Sequence, residues 1–276
     1  MKIGFIDYYL DEWHANNYPK WIREASGGKV EVAYAYAMID SPRGGLSTAE
    51  WCRRQEIAQC TTMQELIEKS DALLVLSPDN CEMHEHLCQL PLRSGKPVSV
   101  DKTFAPDAQT AERLFAIAEK SGTPCYSSSA LRFAAEYQCL DPDKVKAVSC
   151  WGPCTYEIYA IHQLEPLLML IKAPAKQVMS FCSEGWQSLV IAFADGRMGT
   201  ISLFKEGSPF VTNICGADGN TLVTVESDYF SEFIRVMVDF FLTGTEKVPH
   251  QETIRIMAVR EAGIKAQSCP GEWVPV

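Results

Sequence analysis

The stretch GKPVSVDKT, residues 95–103, sets an acid and an ammonium directly after a short strand-like run, Val98 to Val100, with a β-branched valine at each end. A helical pattern opens soon afterwards, near Asp107. Open α/β sheets bind ligands at the carboxyl ends of their strands. Asp101 and Lys102 therefore stand where a lysine can face a small molecule rather than bulk water. A second group of chemical side chains is Glu82, His84, Glu85 and His86. It has the look of a metal site, but positions i and i+2 point to different faces of a helix. A structural or ligand-side role for His84 is expected, and no metal.

Eleven cysteines stand in the chain, with no CxxC pair and no repeated ligand spacing. Cys150 and Cys154 are four apart but flank Gly152-Pro153, which breaks any local knuckle. Most of these thiols are expected to be small buried hydrophobes.

Elements that could position Lys102 follow from the apolar pattern. Lys2–Ile6, Val30–Met38, Ala72–Leu76, Val98–Val100 and Pro124–Ser127 read as strands. Helical patterns lie between them: one containing Tyr18–Ala25, then Ser47–Cys60, a segment capped by Thr61 with Gln64 in reciprocal position, Asn80–Leu92 and Asp107–Ser121. Apolar strands separated by helices imply a parallel, doubly wound sheet. After residue 127 the texture changes. One apolar helix, about Tyr156–Ile171, precedes alternating strands at Gln177–Ser183, Ser188–Ala194, Met198–Phe204, Phe210–Gly216 and Thr221–Glu226. Asp195-Gly196 and Asp218-Gly219 mark turns between them. Helices at Tyr229–Leu242 and Gln251–Ser268 close the chain. The expected fold is α/β: a Rossmann-like domain, 1–127, then an α+β domain with a mostly antiparallel open sheet, 128–276.

The 276 residues suit two domains of ordinary size, and 47% apolar content suffices for full cores. A net charge of −10 without basic runs argues against nucleic-acid binding. No apolar run is long enough for a membrane span, and the N-terminus turns acidic too early for a signal peptide. A cytoplasmic protein is expected.

Four stretches, with the C-terminal segment VPHQETIRIMAVREAGIKAQSCPGEWVPV, carry a resemblance. They are LLVLSPDNCEMHEHL (73–87), GKPVSVDKT (95–103), ALRF (130–133) and YAIHQLEPLLML (159–170). In order and spacing the chain resembles the glucose–fructose oxidoreductase, inositol dehydrogenase and rhizopine-catabolism (Gfo/Idh/MocA) family. The resemblance implies hydride transfer between a nicotinamide cofactor and a hydroxyl-bearing carbon of a sugar, cyclitol or polyol-like substrate. By the same likeness Lys102 polarises the reacting oxygen or shuttles a proton, and His162 is the base, since imidazole titrates near neutrality. Glu165, three residues on and on the same helix face, would orient or charge the imidazole. Arg132 and Tyr159 join Lys102 and His162 on the substrate side. Ile6, Asp7, Tyr8, Asp40, Ser77, Pro78, His84, Asp101 and Lys102 occupy the cofactor-side positions.

The chain also departs from that pattern. The glycine-rich phosphate loop is replaced by GFIDYYLD, residues 4–11, where Asp7 and Asp11 repel phosphate and the tyrosines crowd it. A dinucleotide would bind there displaced, weakly or not at all. Asp40 is the nearest ribose-reading acid, and Arg43 leaves a 2′-phosphate open, so the cofactor is NAD or NADP, with NAD the first choice. The usual Lys-Pro becomes Lys102-Thr103, for which a trans bond is expected, because cis costs about 2.5–4 kcal/mol without proline. Ile158 stands where an acid often precedes the histidine. Two other classes stay open: a cofactor-deficient binding or regulatory homologue, and a lyase or glycosidase-like enzyme that uses tightly held NAD for transient oxidation. Alternating Val190, Ala192 and Ala194 suit a homo-oligomer.

Overall fold

A computed structural model describes residues 1–42 and 44–276, so Arg43 and the 2′-phosphate reading attached to it lie outside the described residues. The chain divides into two compact units, Met1–Ser128 with Ser231–His250, and Ser129–Phe230 with Gln251–Val276.

The first unit holds β1 (Lys2–Asp7), α1 (Trp13–Ala25), β2 (Glu31–Ala37), α2 (Thr48–Gln55), β3 (Ala58–Gln59), α3 (Met63–Lys69), β4 (Ala72–Val75), α4 (His84–Leu87), β5 (Val98–Val100), α5 (Ala108–Ser121) and β6 (Cys125–Ser127). The strands form one sheet in the order β3-β2-β1-β4-β5-β6, every pair parallel. That order places a switch point between β1 and β4, where ligand crevices form in doubly wound sheets. β4 and β5 are buried at every position, and in β4 the apolar run does not alternate. Gly4 in β1 has no room for a Cβ, which would collide with Leu66 and Ser70. α3 therefore lies close on that strand.

Local signals explain most boundaries, and several differ from the expected ones. α1 begins at Trp13, because Glu12 caps it upstream, and carries Pro19 within it. The cap of α3 is Thr62, whose side chain accepts the Glu65 amide, one place later than the Thr61–Gln64 pairing expected. The Asn80–Leu92 helix is broken into 3₁₀ turns at Cys81–Met83 and Pro91–Arg93 around the short α4. Pro91 has no amide to continue the ladder. The Lys102–Thr103 peptide is cis, not trans. The expectation weighed only the preference of an isolated peptide, whereas Thr103 and Phe104 are fully packed in the native chain.

The second unit contains α6 (Ala135–Gln138), β7 (Val145–Pro153), α7 (Tyr156–Leu170), β8 (Ala175–Ser183), β9 (Trp186–Phe193), β10 (Met198–Phe204), β11 (Val211–Gly216) and β12 (Gly219–Thr224). After α8 (Tyr229–Thr243), which runs back into the first unit, it is completed by α9 (His250–Gln267) and β13 (Val274–Pro275). Its sheet runs β12-β11-β7-β10-β9-β8-β13 and is antiparallel except for the β7–β10 pair. The sequence reading lacked β7, an interior strand between β11 and β10. Where α7 meets α9, Gly263 makes room for the Tyr156 ring, whose hydroxyl donates to Arg260 O at 3.3 Å.

A single cut between residues 127 and 128 was expected. The return of Ser231–His250 departs from it. The cause is the apolar face of α8: Phe233 packs on Tyr18 and Phe240 on Tyr126, with ring centroids 6.2 and 4.7 Å apart.

Candidate functional site

In the first unit the carboxyl ends of β1, β4 and β5 carry a cluster of titratable groups. Asp7 ends β1 and Asp101 and Lys102 follow β5. All three are buried. Lys102 Nζ donates to Pro78 O at 3.2 Å. Asp7 Oδ1 accepts the Tyr8 amide at 2.6 Å, while its Oδ2 is buried without a hydrogen bond. Burial, and after it the nearby Glu12 carboxylate, hold the Asp7 carboxyl well above the usual range.

His14, which the sequence reading missed, joins this cluster. Its Nδ1 lies 3.0 Å from Glu12 Oε2 and its Nε2 lies 4.0 Å from Asp101 Oδ2. Burial pushes the imidazole down, but Asp101 and Glu12 outweigh it and leave the group above its ordinary value. Glu12 is the N-cap of α1. Its carboxylate accepts the His14 amide at 2.7 Å and the Ala15 amide as well. Asp11 accepts from Leu46 N at 2.8 Å and Asn16 Nδ2 at 3.1 Å.

A cavity of about 300 Å³ opens beside these groups. The β1–α1 turn lines it with Tyr9, Asp11, Glu12, Trp13 and His14. Ser41 and Gly45 come from the loop after β2, and Pro78 and Asp79 from the turn after β4. Among the described residues its lining has three carboxylates and no lysine or arginine.

Other cofactor-side positions serve the fold first. Ile6 is fully buried and Tyr8 partly so. Asp40 is exposed and accepts the Thr48 amide at 2.7 Å, which ties the loop after β2 to the start of α2. Ser77 sits at φ +86° with its hydroxyl donating to Asn80 O, a conformation that non-glycine residues rarely adopt. His84 is fully buried, its ring nitrogens 2.7 Å from Leu76 O and 3.0 Å from Phe104 O. It staples the β4 and β5 exits together. Among the described residues no group of three or more acids, histidines or cysteines could hold a metal.

In the second unit α7 carries His162, Glu165 and Tyr159. The Nδ1 of His162 lies 2.7 Å from Ser129 Oγ, and the Tyr159 ring stands edge-on to the imidazole at 4.9 Å. Phe210 lies 6.1 Å away on another side. Glu165 is buried: Oε1 accepts the Ser129 amide at 3.2 Å, and Oε2 accepts from Arg132 Nη1 at 3.1 Å. The same Nη1 also meets Glu252. Burial pushes the Glu165 carboxyl up, and Arg132 pulls against it. Arg132, expected on the substrate side, thus has Nη1 committed to two carboxylates. Glu165, expected to orient the imidazole, grips the backbone of Ser129, whose side chain meets the ring. Ile158 is 48% exposed and contributes nothing to this network.

No family model matches the sequence, and neither does any curated protein. The fold, however, is found along the full length of several solved structures. A protein described as a probable dehydrogenase from Thermotoga maritima is 13% identical with a TM-score of 0.81, covering 100% of this chain and 98% of that one. The myo-inositol 2-dehydrogenase from Lactobacillus plantarum is 12% identical at 0.79, covering 100% and 99%. The WlbA dehydrogenase from Bordetella pertussis, solved with NADH and UDP-GlcNAcA, is 13% identical at 0.76, covering 100% and 98%. The chain has the architecture of these dehydrogenases.

The WlbA structure holds NADH; a dinucleotide of that kind in this chain would meet two groups of residues. Lys102 and Asp101 lie buried just after β5, at the carboxyl edge of the sheet. The β1–α1 turn does not fit a pyrophosphate: the amides that would receive it already bind Glu12, and Asp7 and Asp11 stand around them.

Proposed function

We propose that the chain acts on a hydroxyl-bearing carbon of a sugar, cyclitol or polyol-like molecule, as an oxidoreductase with NAD or NADP as its redox partner, the dinucleotide bound with its diphosphate displaced from the β1–α1 turn. The observation that carries this reading is Lys102, buried at the carboxyl end of β5 in a sheet of this order. Full-length likeness to structures named as dehydrogenases supports the reaction class.

Oxidation of a carbinol gathers charge on its oxygen and releases a proton. In this reading the Lys102 ammonium holds that oxygen and the His162 imidazole takes the proton. Ser129 sets the tautomer of His162, and Glu165 with Arg132 holds Ser129 in place. Tyr159 and Phe210 offer ring faces to the apolar C–H surface of a sugar. The half-buried Val190 and Ala192 on β9 support pairing of copies through the sheet face.

The test is turnover of a panel of cyclitols and sugars with NAD⁺ or NADP⁺, followed by absorbance of the reduced nicotinamide. Lys102→Met should abolish turnover and leave the circular dichroism unchanged. Unchanged turnover would remove Lys102 from the chemistry. The Glu12 cap favours a second reading, a binding protein that keeps the fold without the dinucleotide. Saturable sugar binding with no turnover under any nicotinamide would select it.

A further inference from the structure

The turn between β1 and α1 is where doubly wound sheets seat a pyrophosphate, over the free amides of the first helix turn. Here those amides are taken. Glu12 accepts from His14 N and Ala15 N through its two carboxylate oxygens, and His14 Nδ1 meets the same carboxylate from the side. The main-chain carbonyl of Glu12 takes the Asn16 amide at 2.9 Å. A carboxylate held by two amides and a ring nitrogen has the donor set that a phosphate oxygen would use.

The surroundings repel a second anion. Asp11 is fixed beside the cap, and its bond to Leu46 N requires glycine at 45, since a Cβ there would strike Asp11 Oδ2. Asp7 lies buried beneath the turn with one oxygen unpartnered. Tyr9 and Leu10 fill space that glycines would leave open.

We propose that Glu12 is the chain's built-in occupant of this anion seat and shuts out a diphosphate, so that the adjoining cavity admits an uncharged or cationic group instead. This rests on the first unit alone and not on the substrate assigned above.

The experiment is calorimetric titration of the full-length protein with ADP-ribose, which carries the diphosphate and lacks nicotinamide. Wild type should show no saturation at micromolar concentrations. Glu12→Ser keeps a good helix cap and removes the carboxylate. It should bind ADP-ribose at least tenfold more tightly than wild type, with inorganic pyrophosphate competing. Glu12→Ala, checked by its melting curve, should gain in the same direction. Low-micromolar binding by wild type would overturn the proposal, and so would two folded variants that gain nothing. The outcome is separable from the function proposed above: a gain in ADP-ribose binding without polyol turnover defeats only that function, and turnover without any gain defeats only the role of Glu12.

Discussion

Ser129 Oγ lies 2.7 Å from His162 Nδ1 while also accepting the Leu131 amide at 3.2 Å. A hydroxyl oxygen has two lone pairs. One is used by Leu131, and the other can receive Nδ1–H. In that tautomer Nε2 carries the ring's lone pair, the form of imidazole that accepts a proton.

Ser129→Ala should therefore lower kcat about tenfold or more, a fraction of what a positioned base typically contributes. Without an acceptor for Nδ1–H the imidazolium is less favoured, so the acid limb of the kcat profile should move to lower pH. Ser129→Thr, which keeps the hydroxyl, should restore both. A pH profile that stays in place with the alanine would assign Ser129 to packing only.

The proposed reaction uses Lys102 and His162 in one step, and groups that act as a unit are not additive. Lys102→Met and His162→Asn should each cost about 10²-fold or more in kcat/KM. The double variant should cost little more than the worse single one. Full multiplication of the two losses in steady-state rates would mean that they serve separate steps.

The Asp7 carboxyl is held up by burial and by Glu12, so its folded value lies above its unfolded one. Stability from such a group is complete below the unfolded value, near pH 4, and is lost as pH rises through the folded value. Asp7→Asn should match wild type in melting temperature near pH 4 and exceed it by about 2 °C or more near pH 8. Melting curves across that range decide it, and an advantage that is constant with pH would remove the charge from the explanation.

Gly263 lies against the Tyr156 ring, with no space for a Cβ. Alanine is the better helix former by about 1 kcal/mol, but overpacking a core costs about 1–3 kcal/mol. The collision should win, because Tyr156 is buried and its hydroxyl is bonded to Arg260 O. Gly263→Ala should destabilise in urea titration, and Tyr156→Phe in the same chain should recover part of the loss. A more stable single variant would show that α7 and α9 yield easily.

The parallel sheet was legible because helical patterns separate its strands and β4 is written as an unbroken apolar run, as a doubly covered strand requires. The meander was legible from strict alternation and Asp-Gly turns. β7 was not, since Trp151 and the Gly152-Pro153 pair disguise an interior strand. Glu12 was missed because glutamate is not among the preferred cap residues, so its sequence signal is slight. His14 and Ser129 could not be found from spacing. Each acquires its partners through tertiary contact, from Asp101 eighty-seven positions away in one case and from α7 in the other. Lys102 and His84 were readable as residues that follow strands, yet the sequence could not tell that His84 bonds the carbonyls of Leu76 and Phe104 while Lys102 bonds that of Pro78.

The looping of residues 231–250 back into the first unit has a practical meaning for anyone dissecting the protein. A fragment that stops at Ser128 would carry Tyr18 and Tyr126 stripped of Phe233 and Phe240. The two halves are thus interleaved along the gene, and a chimera with a foreign catalytic module would need three junctions rather than one.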